Sequence, residues 1–238
     1  MSFYKIADLN IQMECLKKML QERSKKYFSS EISCADIKID MDNEKLENLS
    51  KRYPQLSLNE LEYIYTGCIF ADNIFDFNGF CLHSSAVALD HVAVLFSAPC
   101  GTGKSTHTSL WQDYFGKDRA VIINDDKPAL RFVEDAFYVY GTPWSGKNNL
   151  NSNIKVPLKA IVFLEQAENN SVRRLDAKEA LKLLINQSLR PLANNEQKME
   201  KLLGLLDLLL ERIPIYKLKC NISTDAVKLI YNVVNLKT

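Results

Sequence analysis

The spacing of apolar positions changes at about residue 79 and divides the chain into two parts. Before that point the apolar runs are short. Ser2 to Met13 mixes apolar and polar residues and accommodates a strand. Cys15 to Tyr27 sets Leu16, Met19 and Leu20 on one side with lysines between them, which predicts a helix. A strand is predicted over Ile37 to Met41, then a short polar helix to Arg52, and Pro54 punctuates the chain. Ser57 and Glu60 have capping-box spacing and open a helix carrying Leu58, Leu61, Ile64, Tyr65 and Cys68 on one face. After Gly79 the runs lengthen. Phe80 to Leu89 and Val92 to Phe96 read as adjacent strands turning at Asp90 and His91. Thr106 to Phe115 is helical and ends at Gly116. Ala120 to Ile123 is a buried strand, Ala129 to Val133 and Ala136 to Tyr140 form a hairpin, and Leu158 to Leu164 is a core strand. Helices are predicted over Asp176 to Gln187, Asn195 to Arg212 and Thr224 to Val234, with a strand at Ile215 to Leu218. Leu202 to Leu210 is apolar nearly all round, so that helix should be buried or paired. The pattern as a whole predicts an α/β fold: a core over residues 79–238 with a small N-terminal α+β attachment over 1–78.

Composition narrows the classes of function. A length of 238 residues suffices for one large domain or a core with an attachment, and 47% hydrophobic with 25% charged residues is ordinary for a globular chain. A net charge of +1 implies no bulk attraction to nucleic acid. No run of 18 apolar residues occurs, and the N-terminus lacks the pattern of a secretion signal, so no membrane partner and a cytoplasmic location are expected. Six cysteines are scattered without metal-ligand spacing and read as isolated thiols.

The chemistry concentrates in Ala98-Pro99-Cys100-Gly101-Thr102-Gly103-Lys104-Ser105-Thr106, between an apolar strand and a helix start. This is the arrangement of a phosphate-binding P-loop, with alanine at the motif's first glycine. Pro99 to Thr106 would wrap a nucleotide's phosphates. Backbone N–H groups around Gly101 and Gly103 would face the β-phosphate, Lys104 would reach the β- and γ-phosphates, and the Ser105 hydroxyl would hold Mg²⁺. Asp125 and Asp126 end the next buried strand, where a metal-binding carboxylate belongs. One could bind Mg²⁺ while the other accepts a proton from an attacking hydroxyl. His83, two strands before the loop, is on its own more often structural, and His91 and His107 are weaker candidates. The stretch Gly141 to Lys147 reads either as a loop closing over a ligand, with Trp144 and Lys147 contributing, or as a tight turn anchored by Trp144. Arg173 and Arg190 are candidates for contact with the transferred phosphate, although each alone reads as surface charge.

Taken together, His83, the loop from Ala98 to Thr106, and Asp125-Asp126 resemble, in order and spacing, the HPr kinase/phosphorylase and phosphoenolpyruvate carboxykinase superfamily. The resemblance is especially to its small HPr-kinase-like members, which include serine kinases of lasso-peptide precursors. The resemblance covers roughly Phe80 to Leu164. It implies a P-loop core with a mixed sheet of the HPr kinase C-terminal type. Asp125 would be the general base, Ser105 and Asp126 the magnesium side, and His83 a helper. The glutamate-bearing signature that full HPr kinase/phosphorylases use is replaced by Gly141-Thr-Pro-Trp-Ser-Gly146, which argues against phosphorolysis. The expected function is a kinase using ATP (GTP not excluded) and Mg²⁺ on a hydroxyl, a serine of a peptide or small protein; a homo-oligomer is compatible with the resemblance. The alternatives are a small-molecule kinase or ATPase, and a non-catalytic nucleotide-binding regulatory or peptide-binding protein.

Overall fold

The computed structural model describes residues 2–31, 33–192 and 195–236. The chain opens with a hairpin of β1 (Ser2–Ile6) and β2 (Leu9–Met13), joined by Ala7 and Asp8 at φ of 54° and 59°. Two positive φ angles in a row match the right-handed twist of the strands. Ala-Asp is not a usual sequence for such a turn, so the pattern announced a strand but not the hairpin. Asp90-His91 and Glu134-Asp135 form the same kind of turn, again without glycine. The first helix, α1 (Lys18–Ser24), is shorter than predicted and continues into a 3-10 turn ending at Tyr27. Its start is delayed because the buried Glu62 carboxylate accepts from the backbone N–H groups of Leu16 and Lys17, holding them outside the helix. Next come β3 (Ile37–Ile39), parallel to β2, and α2 (Asn43–Arg52). Then follows α3 (Leu58–Asn73), which carries the expected Ser57–Glu60 capping box.

The larger sheet begins with β4 (Gly79–Cys81) and β5 (Ser84–Leu89), which break at Leu82-His83 where one strand was predicted. It continues through β6 (Val92–Ser97), α4 (Lys104–Phe115), β7 (Ala120–Asn124), β8 (Ala129–Val133), β9 (Ala136–Tyr140) and β10 (Lys155–Gln166). The remaining elements are β11 (Ser171–Arg174), α5 (Ala177–Gln187), α6 (Glu196–Arg212), β12 (Ile215–Cys220) and α7 (Thr224–Val234). Strand order is β4-β8-β9-β10-β6-β5-β7, with β12 also on β10 and β11 on β12. At 12 residues, β10 is long enough to pair antiparallel with β9 at its start and parallel with both β6 and β12 further on. The sheet is therefore mixed, as the fold class requires. Polar, charged β11 had no strand signature and was not predicted.

Helices cover both faces. One face packs Val94, Phe96 and Val162 against Trp111 of α4 and Ile230 of α7. The other packs Leu95 and Ile161 against Leu184 of α5 and Leu206 of α6. Helix α6 buries Leu202, Leu205, Leu206 and Leu209 while Leu203 is exposed, so it is one-sided. A further cluster joins Ile6, Ile11, Tyr63 and Phe70 to Cys81, Ala129, Tyr140 and Trp144. The N-terminal elements thus share a core with the larger sheet. Among the described residues no helix is long and apolar enough to cross a membrane.

Candidate functional site at three strand ends

Strands β6 and β7 run in the same direction with antiparallel β5 between them. This places the loop after β6, the carboxylates after β7 and the entry to β5 at one edge of the sheet. In the loop, Gly101 and Gly103 have φ of +82° and +102°, and a Cβ built on either meets nothing within 4 Å. The backbone there forms an open cradle that L side chains would strain. Ala98 is not among the residues with positive φ, and it is buried in the cluster with Phe96 and Trp111. Alanine in place of the motif's first glycine therefore carries no backbone strain. Lys104 donates from Nζ to the carbonyls of Ala98 (2.8 Å) and Pro99 (3.3 Å), lying back across the loop. Burial holds its ammonium below the ordinary lysine range, with Cys100, Asp126 and Asp125 pulling the other way. Ser105 follows on the first helical turn, half-buried.

Asp125 is buried, and its Oδ1 accepts from Ser85 Oγ at 2.7 Å. Ser85 also shares a 2.8 Å hydrogen bond with Thr108 of α4, so the carboxylate is tied to the helix that follows the loop. Asn148 Nδ2 lies 3.5 Å from its Oδ2. Asp126 has His83 Nε2 at 3.5 Å and Lys127 Nζ at 3.0 Å. Neighbouring residues on a strand point to opposite faces. Here both carboxylates reach one site because Asn124 Oδ1 accepts from the backbone N–H groups of Asp126 and Lys127 and bends the chain directly after β7. The Asn124 amide is fixed in turn by the Thr142 carbonyl and hydroxyl. His83 Nδ1 is 3.0 Å from Gln187 Oε1. Burial, then the Lys104 charge, keep the His83 imidazole below its usual pKa, with Gln187 and Asp126 pulling the other way. Burial is the largest single influence on the Lys127 ammonium and lowers it, but Asp126 together with Tyr63 and Cys68 outweighs it and the pKa is raised.

Three residues suggested by sequence lie apart from the carboxylates or are packed within the fold. Trp144 is 2% exposed, stacks on Phe70 at 4.8 Å and donates to Thr66 Oγ1 at 3.1 Å. It fits against Gly67 of α3, where even a Cβ would collide with the indole, so it anchors its loop and does not face outward. Arg173 lies on outlying β11 in a bidentate pair with Glu179 at 2.7 Å. Arg190 is exposed, three residues beyond Gln187 on a segment that runs antiparallel to Cys81-Leu82-His83, so it leads away from His83. Lys147 does stand nearby: it is exposed and follows Gly146, whose Cβ position lies 3.0 Å from the Asp126 Cβ.

Several site residues were missed by sequence reasoning. Ser85, Thr108, Asn124, Lys127, Asn148 and Gln187 all touch the site, yet only paired serines in an apolar strand and a Lys after Asp-Asp gave any local signal. From the N-terminal elements, Arg23 Nη1 donates to the Gly146 carbonyl at 2.6 Å, Tyr63 Oη accepts from the Gly146 N–H at 2.9 Å, and Tyr27 Oη donates to Asn151 Oδ1 at 2.9 Å. Two grooves flank the glycine loop. One, of about 660 Å³, borders Pro99 to Thr102 and reaches Gln187 and Lys217. The other, of about 590 Å³, borders Thr102, Gly103 and Thr106 and continues to the β12–α7 turn.

Fold and site thus define a mixed-sheet α/β protein with a glycine-loop cradle facing paired carboxylates. The chain belongs to the SynChlorMet cassette protein ScmC family, whose model matches residues 65–235. No curated protein matches it. Among solved structures, the Hpr(Ser) kinase/phosphatase from Coxiella burnetii is similar, weakly and in part. Identity is 13% and the TM-score 0.35, over 64% of this chain and 95% of that one.

Proposed function

We propose that this protein is an ATP- and Mg²⁺-dependent kinase that phosphorylates a hydroxyl, a serine of a peptide or small protein. The observation that carries the reading is the convergence of the glycine cradle and Lys104 with a buried, hydroxyl-tethered Asp125 at one sheet edge. Gly101, Gly103 and Lys104 hold the phosphates, with Lys104 leaving the Ala98 and Pro99 carbonyls to do so. Ser105 and Asp126 supply protein oxygens for Mg²⁺, which when bound beside phosphate needs only one or two of them and neutralises charge developing on the transferred group. Asp125 takes the acceptor's proton, and Ser85 and Thr108 hold its carboxylate toward the loop. His83 stands beside Asp126 as a helper, and Lys127 replaces the arginines as the cation beside Asp126.

The test is transfer of labelled γ-phosphate to candidate serine peptides, followed by mass spectrometry. Asp125→Asn should reduce transfer by about 10²- to 10⁴-fold while ATP affinity stays within about threefold. Undiminished transfer in that variant removes Asp125 from the role of base.

A further inference from the structure

Resting on that reading, we infer that the acceptor serine lies in an acidic segment, which docks along the loop from Gly146 to Asn151 on cations supplied in part by the N-terminal elements. Asp125 sets the direction of approach. Its Oδ1 is taken by Ser85, which is tied to α4, so Oδ2, beside Asn148, is the oxygen left to receive a proton. The acceptor hydroxyl therefore arrives on the Asn148 side of the carboxylate. The loop there lies directly against the strand end: the Asp125 N–H donates to the Leu150 carbonyl at 3.1 Å, and Asn124 and Asn151 form an antiparallel bridge. Residues flanking the serine must pass over this loop.

Four cations gather on it. Lys26, in the 3-10 turn after α1, donates from Nζ to the Asn151 carbonyl at 2.7 Å. Arg23 of α1 donates to the Gly146 carbonyl at 2.6 Å. Lys147 is exposed and follows Gly146, and Lys127 stands beside Asp126. The Tyr63 ring joins two of them, with Arg23 Cζ 4.6 Å and Lys127 Nζ 6.0 Å from its centroid. Among the described residues Arg23, Lys26 and Lys147 have no carboxylate partner, since Glu22 is paired with Lys25 and Asp126 with Lys127. Partial burial lowers the Lys26 ammonium, with no carboxylate to offset it.

A neutral donor would satisfy either backbone carbonyl, so the charges of Arg23 and Lys26 are surplus to the loop's own bonding. This positive charge is local: the chain as a whole carries only +1, which exerts no bulk attraction on an acidic peptide. An extended peptide advances about 3.3–3.6 Å per residue, so side chains about two to four residues from the serine pass beyond Asp126 to these cations. Asp125 and Asp126 repel an acid placed directly beside the serine, which sets the acidic positions on the flanks. Charge complementarity of this kind selects among peptides that all present a serine.

Fluorescence anisotropy of the full chain with labelled peptides of one length tests this, with alanine in place of the serine and flanks of Asp and Glu or of Asn and Gln. The acidic peptide should bind about tenfold or more tighter at low salt, and the gap should close as salt is raised. Lys26→Gln and Lys147→Gln should each weaken the acidic peptide about threefold and leave the amide peptide unchanged. Lys117→Gln, an exposed lysine beyond the far end of α4, should change neither. Equal affinity for the two peptides, failure of the acidic one to bind, or an equal loss in Lys117→Gln overturns the acidic docking surface. The same peptides with serine restored, given Mg²⁺ and labelled ATP, separate this inference from the kinase reading. Label transferred without regard to charge overturns the docking surface and leaves the kinase. Preferential binding of the acidic peptide with no transfer to any peptide supports the docking surface and overturns the kinase.

Discussion

The glycine loop and the loop from Gly141 to Asn153 both border the carboxylates, and they are held in opposite ways. The first is built from its own residues. Two glycines at positive φ shape it, Lys104 bonds back to Ala98 and Pro99, and α4 begins where it ends. The second is held from far along the chain. Trp144 is gripped by Thr66, Gly67 and Phe70, Gly146 by Arg23 and Tyr63, and Asn151 by Tyr27. Local construction makes a motif that a sequence displays. Remote construction makes one that depends on the N-terminal elements, and Arg23, Tyr27 and Tyr63 all precede the segment matched by the family model.

The contrast can be broken most forcefully at Trp144. Trp144→Ala empties a site closed on all sides, and large-to-small changes of this kind cost about 3–5 kcal/mol. Denaturant unfolding should show that loss, and a loss below about 1 kcal/mol would mean that α3 does not hold this loop.

A smaller effect is expected on the other side of the comparison, in the helix that the glycine loop starts. His107 titrates at about 4 in the folded chain, below its ordinary value of 6.5. Between those pH values the unfolded chain binds more protons, so stability is full above 6.5 and falls as pH drops toward 4. The gap corresponds to about 3 kcal/mol. His107→Asn should flatten this part of the stability-versus-pH curve, while an unchanged slope would assign it to other groups.

The smallest effect should separate positioning from binding. Arg23→Met removes a charged donor from the Gly146 carbonyl, and such bonds contribute about 1.5–3 kcal/mol. Because Gly146 stands against Asp126 and Asn148 against Asp125, on the proposed kinase reading kcat for transfer should drop while ATP affinity is retained. Equal loss in kcat and affinity would mean that the N-terminal elements act on the glycine loop as well.

Periodicity located every core strand of the sheet except β11, and placed α4, α5, α6 and α7 to within two residues or so at each end, because each buries one face against the sheet. It was weaker before residue 79, where Glu62 sets the start of α1 and an Ala-Asp turn closes a hairpin. Among candidate site residues, the glycine loop and Asp125-Asp126 stood out because adjacent residues make them. Trp144, Arg173 and Arg190 were left open between two roles because residue type says nothing of which way a side chain faces or what already pairs with it.

The sequence alone determined the glycine cradle, the strand before it and the carboxylates after it, since backbone conformation and burial there follow from neighbouring residues. Only the tertiary structure decided that Ser85 and Thr108 secure Asp125, that Lys127 is the cation beside Asp126, and that residues near the N-terminus hold the second loop. The contacts of the second loop join positions separated by up to 124 residues, and only the packing of the N-terminal elements against the larger sheet brings them within hydrogen-bonding distance.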